Sequence, residues 1–245
     1  MTSWESHAIL ERKARLLKGR KVVSVIERQL SLTGCSVLDV GTGGGYIAEC
    51  FQEVVGSNGR VVGADRSRQL PADSTVEYAE INGDQLPFDD ASFDVVVSNH
   101  VVPHVGPWAA QLRHVAELGR VVRPGGLVFL ATPNRWGPFE PNFRVPLLSW
   151  WPQFMRNLIV RALGRGESFD VAPLTRPALQ RLFRDAGLHP EDVTHEAIRA
   201  YSNIEAQGAI LPRLLGSLPE MPRRLIAGLF FIPSFLFIAR KPKSL

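Results

Sequence analysis

Residues 37–45 read Val-Leu-Asp-Val-Gly-Thr-Gly-Gly-Gly, an apolar run broken by one acid and followed by a loop made almost entirely of glycine. Few structures accommodate such a stretch. Val and Leu in a short run suit a buried strand. Glycines reach positive φ and let the backbone approach a ligand closely. The apolar segment Tyr46–Val55 behind them reads as a helix, and a helix starting there points its unpaired N–H groups at whatever the loop holds.

The pattern then repeats. Arg60–Ala64 ends in Asp65, and Thr75–Ala79, Phe93–Ser98 and Gly126–Thr132 are further short runs. Ala109–Val122 has helical spacing, as do the first thirty residues, where Ala8, Ile9, Leu16, Leu17, Val22, Val23, Val25 and Ile26 alternate with Arg and Lys. Continuous apolar strands separated by helices predict a mostly parallel α/β sheet with helices on both faces. Right-handed crossovers bring Gly41–Gly45, Asp65, Asn82–Asp84 and Ser98–His100 to one edge of that sheet, where ligands of open α/β sheets bind.

Past Thr132 the pattern changes. Residues 133–152 hold five prolines and three tryptophans without periodicity, which marks an insertion or lid. Phe154, Met155, Leu158, Ile159, Ala162 and Leu163 make an apolar stripe at helical spacing, with Arg156, Arg161 and Arg165 expected elsewhere on the surface. Leu174–Ala186 reads as another helix stopped by Gly187, and Phe230–Arg240 as a closing strand bent at Pro233.

Composition removes several classes. With 45% hydrophobic and 21% charged residues the chain is not a disordered one. Two cysteines, Cys35 and Cys50, frame no disulfide scaffold, and no Cys/His cluster has zinc spacing, so reduced thiols and no metal are expected. The net charge of +4 is spread as basic ends around an acidic middle, with no long run of like charge, and gives no reason to expect nucleic acid. The start has no secretory h-region, and Leu225–Ala239, interrupted by Gly228 and Pro233, falls short of the roughly 18–20 unbroken apolar residues of a spanning helix. A cytoplasmic protein is expected.

Two details bear on the glycine loop. A G-x-G-x-x-G dinucleotide fingerprint counted from Gly41 would need glycine where Tyr46 stands. Asp39, two residues before Gly41, puts negative charge where a pyrophosphate would lie and suits a cationic ligand better. A tight turn with a helix-capping acid is the plain alternative.

These residues resemble the class I S-adenosylmethionine-dependent methyltransferases, in their small-molecule, type 11-like branch. Asp39–Gly45 is similar to the family's first motif, whose loop wraps the methionine part of the cofactor, and Asp65 to the acid that accepts both ribose hydroxyls. Asn82-Gly83-Asp84-Gln85-Leu86-Pro87-Phe88-Asp89-Asp90-Ala91-Ser92-Phe93-Asp94 resembles the adenine-binding D-G-x-x-L-P-F-x-D-x-S-F-D stretch, with Asn82 in place of its first acid. Val95–His104 resembles the fourth strand and its loop, Leu118–Leu127 the turn before the fifth strand, and Thr132-Pro133-Asn134-Arg135 a stretch of many bacterial members. The likeness covers about residues 35–132.

The resemblance implies a Rossmann-like class I methyltransferase fold in one domain, 1–245: a helical cap (1–34), a cofactor-binding core (35–132), a substrate lid or insertion (133–170) and the C-terminal part of the sheet (171–245). It implies S-adenosylmethionine as cofactor, held by Asp39, Gly41, Thr42, Gly43, Gly45, Asp65, Arg66, Asn82, Gly83, Asp84 and Asn99. His104 and His100 are candidate general bases, needed where the acceptor must lose a proton. Trp136, Phe139, Phe143, Trp150, Trp151 and Phe154 are candidates for an apolar lid over a small-molecule acceptor, or for a plain subcore. Arg135, Arg144, Arg156, Arg161 and Arg165 against Glu140 suggest an acceptor that is hydrophobic with an anionic group, or peripheral contact with an anionic membrane. No required protein partner is evident in the sequence. A nicotinamide-dependent oxidoreductase and a non-catalytic S-adenosylmethionine-binding protein are the rival classes.

Overall fold

Each apolar run of the first half becomes a strand of one sheet. The computed structural model describes residues 3–140, 145–169, 171–206, 210–228 and 233–242. Its first half contains α1 (Ser3–Glu27), β1 (Ser36–Val40), α2 (Tyr46–Val55), β2 (Arg60–Asp65), β3 (Glu77–Glu80), β4 (Phe93–Asn99), α3 (Trp108–Val121) and β5 (Val122–Pro133). A two-stranded hairpin, β6 (Phe139–Glu140) and β7 (Val145–Pro146), precedes α4 (Gln153–Ala162) and α5 (Arg176–Asp185). The chain continues through β8 (His189–Asp192), α6 (Thr194–Ile204), α7 (Ile210–Ser217), α8 (Glu220–Gly228) and β9 (Ser234–Arg240). Phe143, Arg144 and the start of the strand expected from Phe230 lie outside the described residues.

Seven strands pair in the order β3-β2-β1-β4-β5-β9-β8. The pairings from β3 to β5 are parallel, and β9 runs antiparallel to both β5 and β8. Strand order reverses between β1 and β4, so the loop after β1 sits at the switch point. Side chains alternate between two helical layers. Val37, Val61, Val95 and Phe129 pack with Val25 and Ile26 of α1, Phe51 of α2 and Ala200 of α6. Leu38, Val62, Val96 and Leu130 pack with Val115 and Leu118 of α3 and Leu179 and Phe183 of α5. Burial on both faces explains why these strands read as unbroken apolar runs. Cys35 and Cys50 are both free and buried in the first layer.

The structure moves some expected boundaries. Pairing in β3 begins at Glu77, because Thr75 is engaged by Gln52 of α2: its carbonyl accepts from Gln52 Nε2 and its hydroxyl donates to Gln52 Oε1, both at 3.1 Å. Arg156 is not on the surface. It is 8% exposed on the inward side of α4, whereas Phe154 and Leu158 are 72% and 65% exposed. No helix among the described residues is long and apolar enough to cross a membrane.

The turn into α2 depends on Gly45, whose φ is +78° and whose absent Cβ would overlap Leu70 Cδ2. Gly34, at φ +74°, has open space around its own. A left-handed φ alone costs a non-glycine residue about 1–2 kcal/mol. Gly34→Ala is therefore expected to lose about that much in denaturant unfolding, and Gly45→Ala clearly more. Equal losses would show that Leu70 moves aside.

Candidate functional site

Two carboxylates hold the glycine loop, one from beneath and one from its open side. Asp39 is 1% exposed. It accepts from the Thr42 hydroxyl at 2.8 Å and from the backbone N–H of Ala48 in the first turn of α2, so it both ties the loop and caps the helix. Asp65, at the end of β2, accepts from Gly43 N at 2.8 Å and from Arg66 N at 2.7 Å. The main chain joins them: Gly41 N and Thr42 N both donate to Ala64 O, at 2.7 and 3.2 Å, and Tyr78 Oη donates to Asp65 O at 2.9 Å.

Beside the loop opens a cleft of about 290 Å³. Gly41, Asp65 and Arg66 line one side, Gly83, Asp84 and Leu86 another, and His104, Ala110, His114 and Glu117 face them. Gly43 (φ +52°) lies outside that lining and has no atom within 4 Å of where its Cβ would stand, so the loop is bare backbone at that point. Such a lining, with a carboxylate at one end and Ile81, Leu86, Val101 and Ala110 as apolar walls, suits a nucleoside: two acceptor oxygens for a vicinal diol and an apolar slot for a base. Five of the expected cofactor residues line the cleft: Gly41, Asp65, Arg66, Gly83 and Asp84. Asp39 and Thr42 lie beneath the loop and Gly45 at the start of α2. Asn82 is exposed and Asn99 half-buried at the end of β4, both outside the lining.

Helix α3 contributes residues that sequence reasoning passed over. Ala110, His114 and Glu117 share one helical face, a spacing visible in the sequence but without meaning until the helix is placed. Glu117 accepts from Leu86 N at 2.8 Å and from Arg120 through both oxygens. Arg120 in turn donates to Leu86 O (3.0 Å), Phe88 O (2.8 Å) and Asp90 (2.8 Å), so this pair fastens the 83–90 loop over the cleft. His114 is hydrogen-bonded to the fully buried Ser98 Oγ, 2.9 Å away. Burial, then the charge of Arg66, pushes it down to about 4, so its ring is neutral at physiological pH.

The two expected histidines differ. His104 lines the cleft and is exposed. His100, at φ +62°, donates its backbone N–H to Ala131 O at 2.8 Å. Burial, with the charges of Lys21 and Lys18 of α1 and of His104 behind it, pushes His100 down to about 4.

A family model described as a methyltransferase domain matches residues 38–130. Ubiquinone biosynthesis O-methyltransferase of Pseudomonas paraeruginosa is 33% identical over 182 residues, covering 70% of this chain and 72% of the relative. A Mycolicibacterium smegmatis protein named as a probable S-adenosylmethionine-dependent methyltransferase is 33% identical over 179 residues, 71% of this chain, which spans 63% of that relative's length. Among solved structures, a SAM-dependent methyltransferase from Aquifex aeolicus superposes with TM-score 0.53 at 15% identity, over 92% of this chain and 90% of that one. Another from Methanosarcina mazei gives 0.53 at 19%, over 90% and 98%. These two show the fold.

Burial pushes Asp39 up to about 7; the nearby charge of Asp65 adds to this, and the Thr42 and Ala48 hydrogen bonds oppose it. An unfolded chain releases that proton near 3.8. Between these values the native protein keeps a proton the unfolded chain has lost, so Asp39 costs stability as pH rises through the window, and the loss levels off above about 7. Melting curves from pH 4 to 8 should show the wild type falling relative to Asp39→Asn, which holds no such proton. Parallel curves would mean that Asp39 is ionised throughout.

Proposed function

The chain belongs to the class I S-adenosylmethionine-dependent methyltransferases, and from that premise we propose that it transfers a methyl group from S-adenosylmethionine to a hydroxyl of a small, hydrophobic acceptor. The observation that carries this is the cleft at the switch point, lined by the Asp65 carboxylate that a 2.8 Å hydrogen bond from Gly43 N fastens to the glycine loop. The residues present fit the cofactor. Asp65 offers its oxygens to the ribose diol, Gly41–Gly45 follow the amino-acid end, and Gly83, Asp84 and Leu86 receive the base. When bound, S-adenosylmethionine supplies a methyl group already electrophilic on its sulfonium, so the protein's chief work is alignment, worth up to about 7–11 kcal/mol of barrier.

His104 is the base: its imidazole nitrogen takes the proton from the acceptor hydroxyl. His100, whose proton affinity burial has weakened, keeps a neutral ring next to it. The neutral Ser98–His114 pair holds the cleft floor without adding charge. The described residues of the insertion, 133–140 and 145–169, close over the acceptor. Trp136 and Trp150 meet edge to face there, ring centres 6.0 Å apart, and a water-excluding wall would shield the reacting groups. The name of the Pseudomonas relative supports a phenolic or quinol-like oxygen as acceptor. Trp151, Phe154 and Leu158 form an outward apolar face on and before α4, flanked by Arg161. That face supports peripheral contact with a membrane in which a hydrophobic acceptor resides.

Calorimetry should give saturable one-to-one binding of S-adenosylhomocysteine and none of NADH, with binding lost in Asp65→Ala. The reverse preference would make the chain an oxidoreductase. His104→Ala should keep S-adenosylhomocysteine affinity while methyl transfer from labelled S-adenosylmethionine to extracted acceptors falls about 10²–10⁴-fold. Unchanged turnover would remove His104 from the chemistry. Phosphatidylglycerol vesicles at low salt should sediment the wild type but not Phe154→Ser/Leu158→Ser; no sedimentation of either would end the membrane part.

A further inference from the structure

Arg156 is enclosed, with 8% of its surface exposed, yet its Nε has no hydrogen-bond partner and no carboxylate among the described residues pairs with it. Its guanidinium lies over the ring of Phe169, 4.7 Å from the centroid. Arg135, two residues past β5, repeats the arrangement. Its guanidinium lies 5.5 Å from the centroid of Trp136, and its Nε is likewise enclosed without a partner. Burial lowers the proton affinity of Arg156, and the charge of Arg135 lowers it further. Two cations thus share a poorly solvated space with no acid among the described residues to offset them.

Buried charges are ordinarily paired, and like charges in a low dielectric repel. Arg223 of α8, equally enclosed, also has an unpartnered Nε, but its Nη1 donates to the carbonyls of Leu218 (2.6 Å) and Gly216 (3.3 Å). Arg135 and Arg156 have no such outlet. A guanidinium stacked on an aromatic ring keeps its edge N–H groups for a carboxylate or phosphate, two oxygens of which it grips with parallel bonds.

Their position assigns the guest. Arg135 N donates to Leu174 O at 3.0 Å, and Ala172 N donates to Pro103 O at 2.9 Å, beside His104. The segment that carries Leu174 and Ala172 thus ties Arg135 to the His104 side of the cleft. We infer that Arg135 and Arg156 form an oxyanion subsite of the acceptor pocket, so that the acceptor carries a carboxylate or phosphate group besides its methylated hydroxyl. This deepens the methyltransferase reading and rests on it.

The subsite is tested by titrating benzoate and, separately, inorganic phosphate, at ionic strength held constant with chloride, into the protein alone and into protein saturated with S-adenosylhomocysteine. One of the two anions is expected to saturate, and which one distinguishes a carboxylate from a phosphate acceptor. Arg156→Gln and Arg135→Gln should each weaken that binding at least tenfold, with S-adenosylhomocysteine affinity unchanged. Arg161→Gln, on the exposed side, should change it less than twofold. Should Arg156→Gln fail to fold, Arg156→Lys keeps the charge without the planar fork and is expected to lose most of the affinity. Neither anion saturating, or equal affinity in wild type and variants, overturns the subsite even if S-adenosylhomocysteine binds normally. Failure of S-adenosylhomocysteine to bind counts against the methyltransferase reading, and the titrations of the protein alone still decide the subsite.

Discussion

The hydrogen bond from Gly43 N to the Asp65 carboxylate is the joint on which the site turns. It links the loop after β1 to the end of β2 across the switch point, and it leaves a charged acceptor facing the cleft. Beneath it Asp39 does complementary work, gripping Thr42 and Ala48 so that α2 starts where the loop ends. One acid gives the loop its shape at the cost of burial, and the other stays partly open to take a ligand. Asp65's task uses both oxygens of its carboxyl group at once, one for Gly43 N and one for Arg66 N.

From this joint the rest of the site follows by packing. Strands buried on both faces hold the carboxyl ends of β1, β2 and β4 in register, with Val40 opposite both Ala64 and Ser98. Helix α3 then brings Glu117 and Arg120 to the 83–90 loop, and their hydrogen bonds fix the wall opposite Asp65. Leu148, Val160, Phe169 and Val171 form a smaller core of their own, apart from the two layers that cover the sheet.

The core was legible in the sequence because its determinants are local. A run such as Val37–Val40 and the glycines behind it are explained by their own residues, and the bounds of α2 and β2 agree with expectation. What could not be read depends on distant partners. His114 and Glu117 acquire meaning only when α3 is laid against the 83–90 loop. Arg156 reads as surface because an arginine on an amphipathic helix ordinarily is, and Phe169, on which it stacks, is 13 positions away. Helices α7 and α8 leave Ile210, Leu214, Met221 and Leu225 exposed, so their apolar residues do not trace the core. Asn82, placed by likeness at the base-binding loop, is exposed there, while its neighbours Gly83 and Asp84 line the cleft.

The central claim is that nucleoside and loop meet between Gly43 and Asp65. Crystals grown with S-adenosylhomocysteine examine it directly. The account predicts density along Gly41–Gly45, the ribose on the Asp65 carboxylate and the base against Leu86. Well-ordered ligand seated elsewhere, or a clear cleft at saturating concentration, would contradict it.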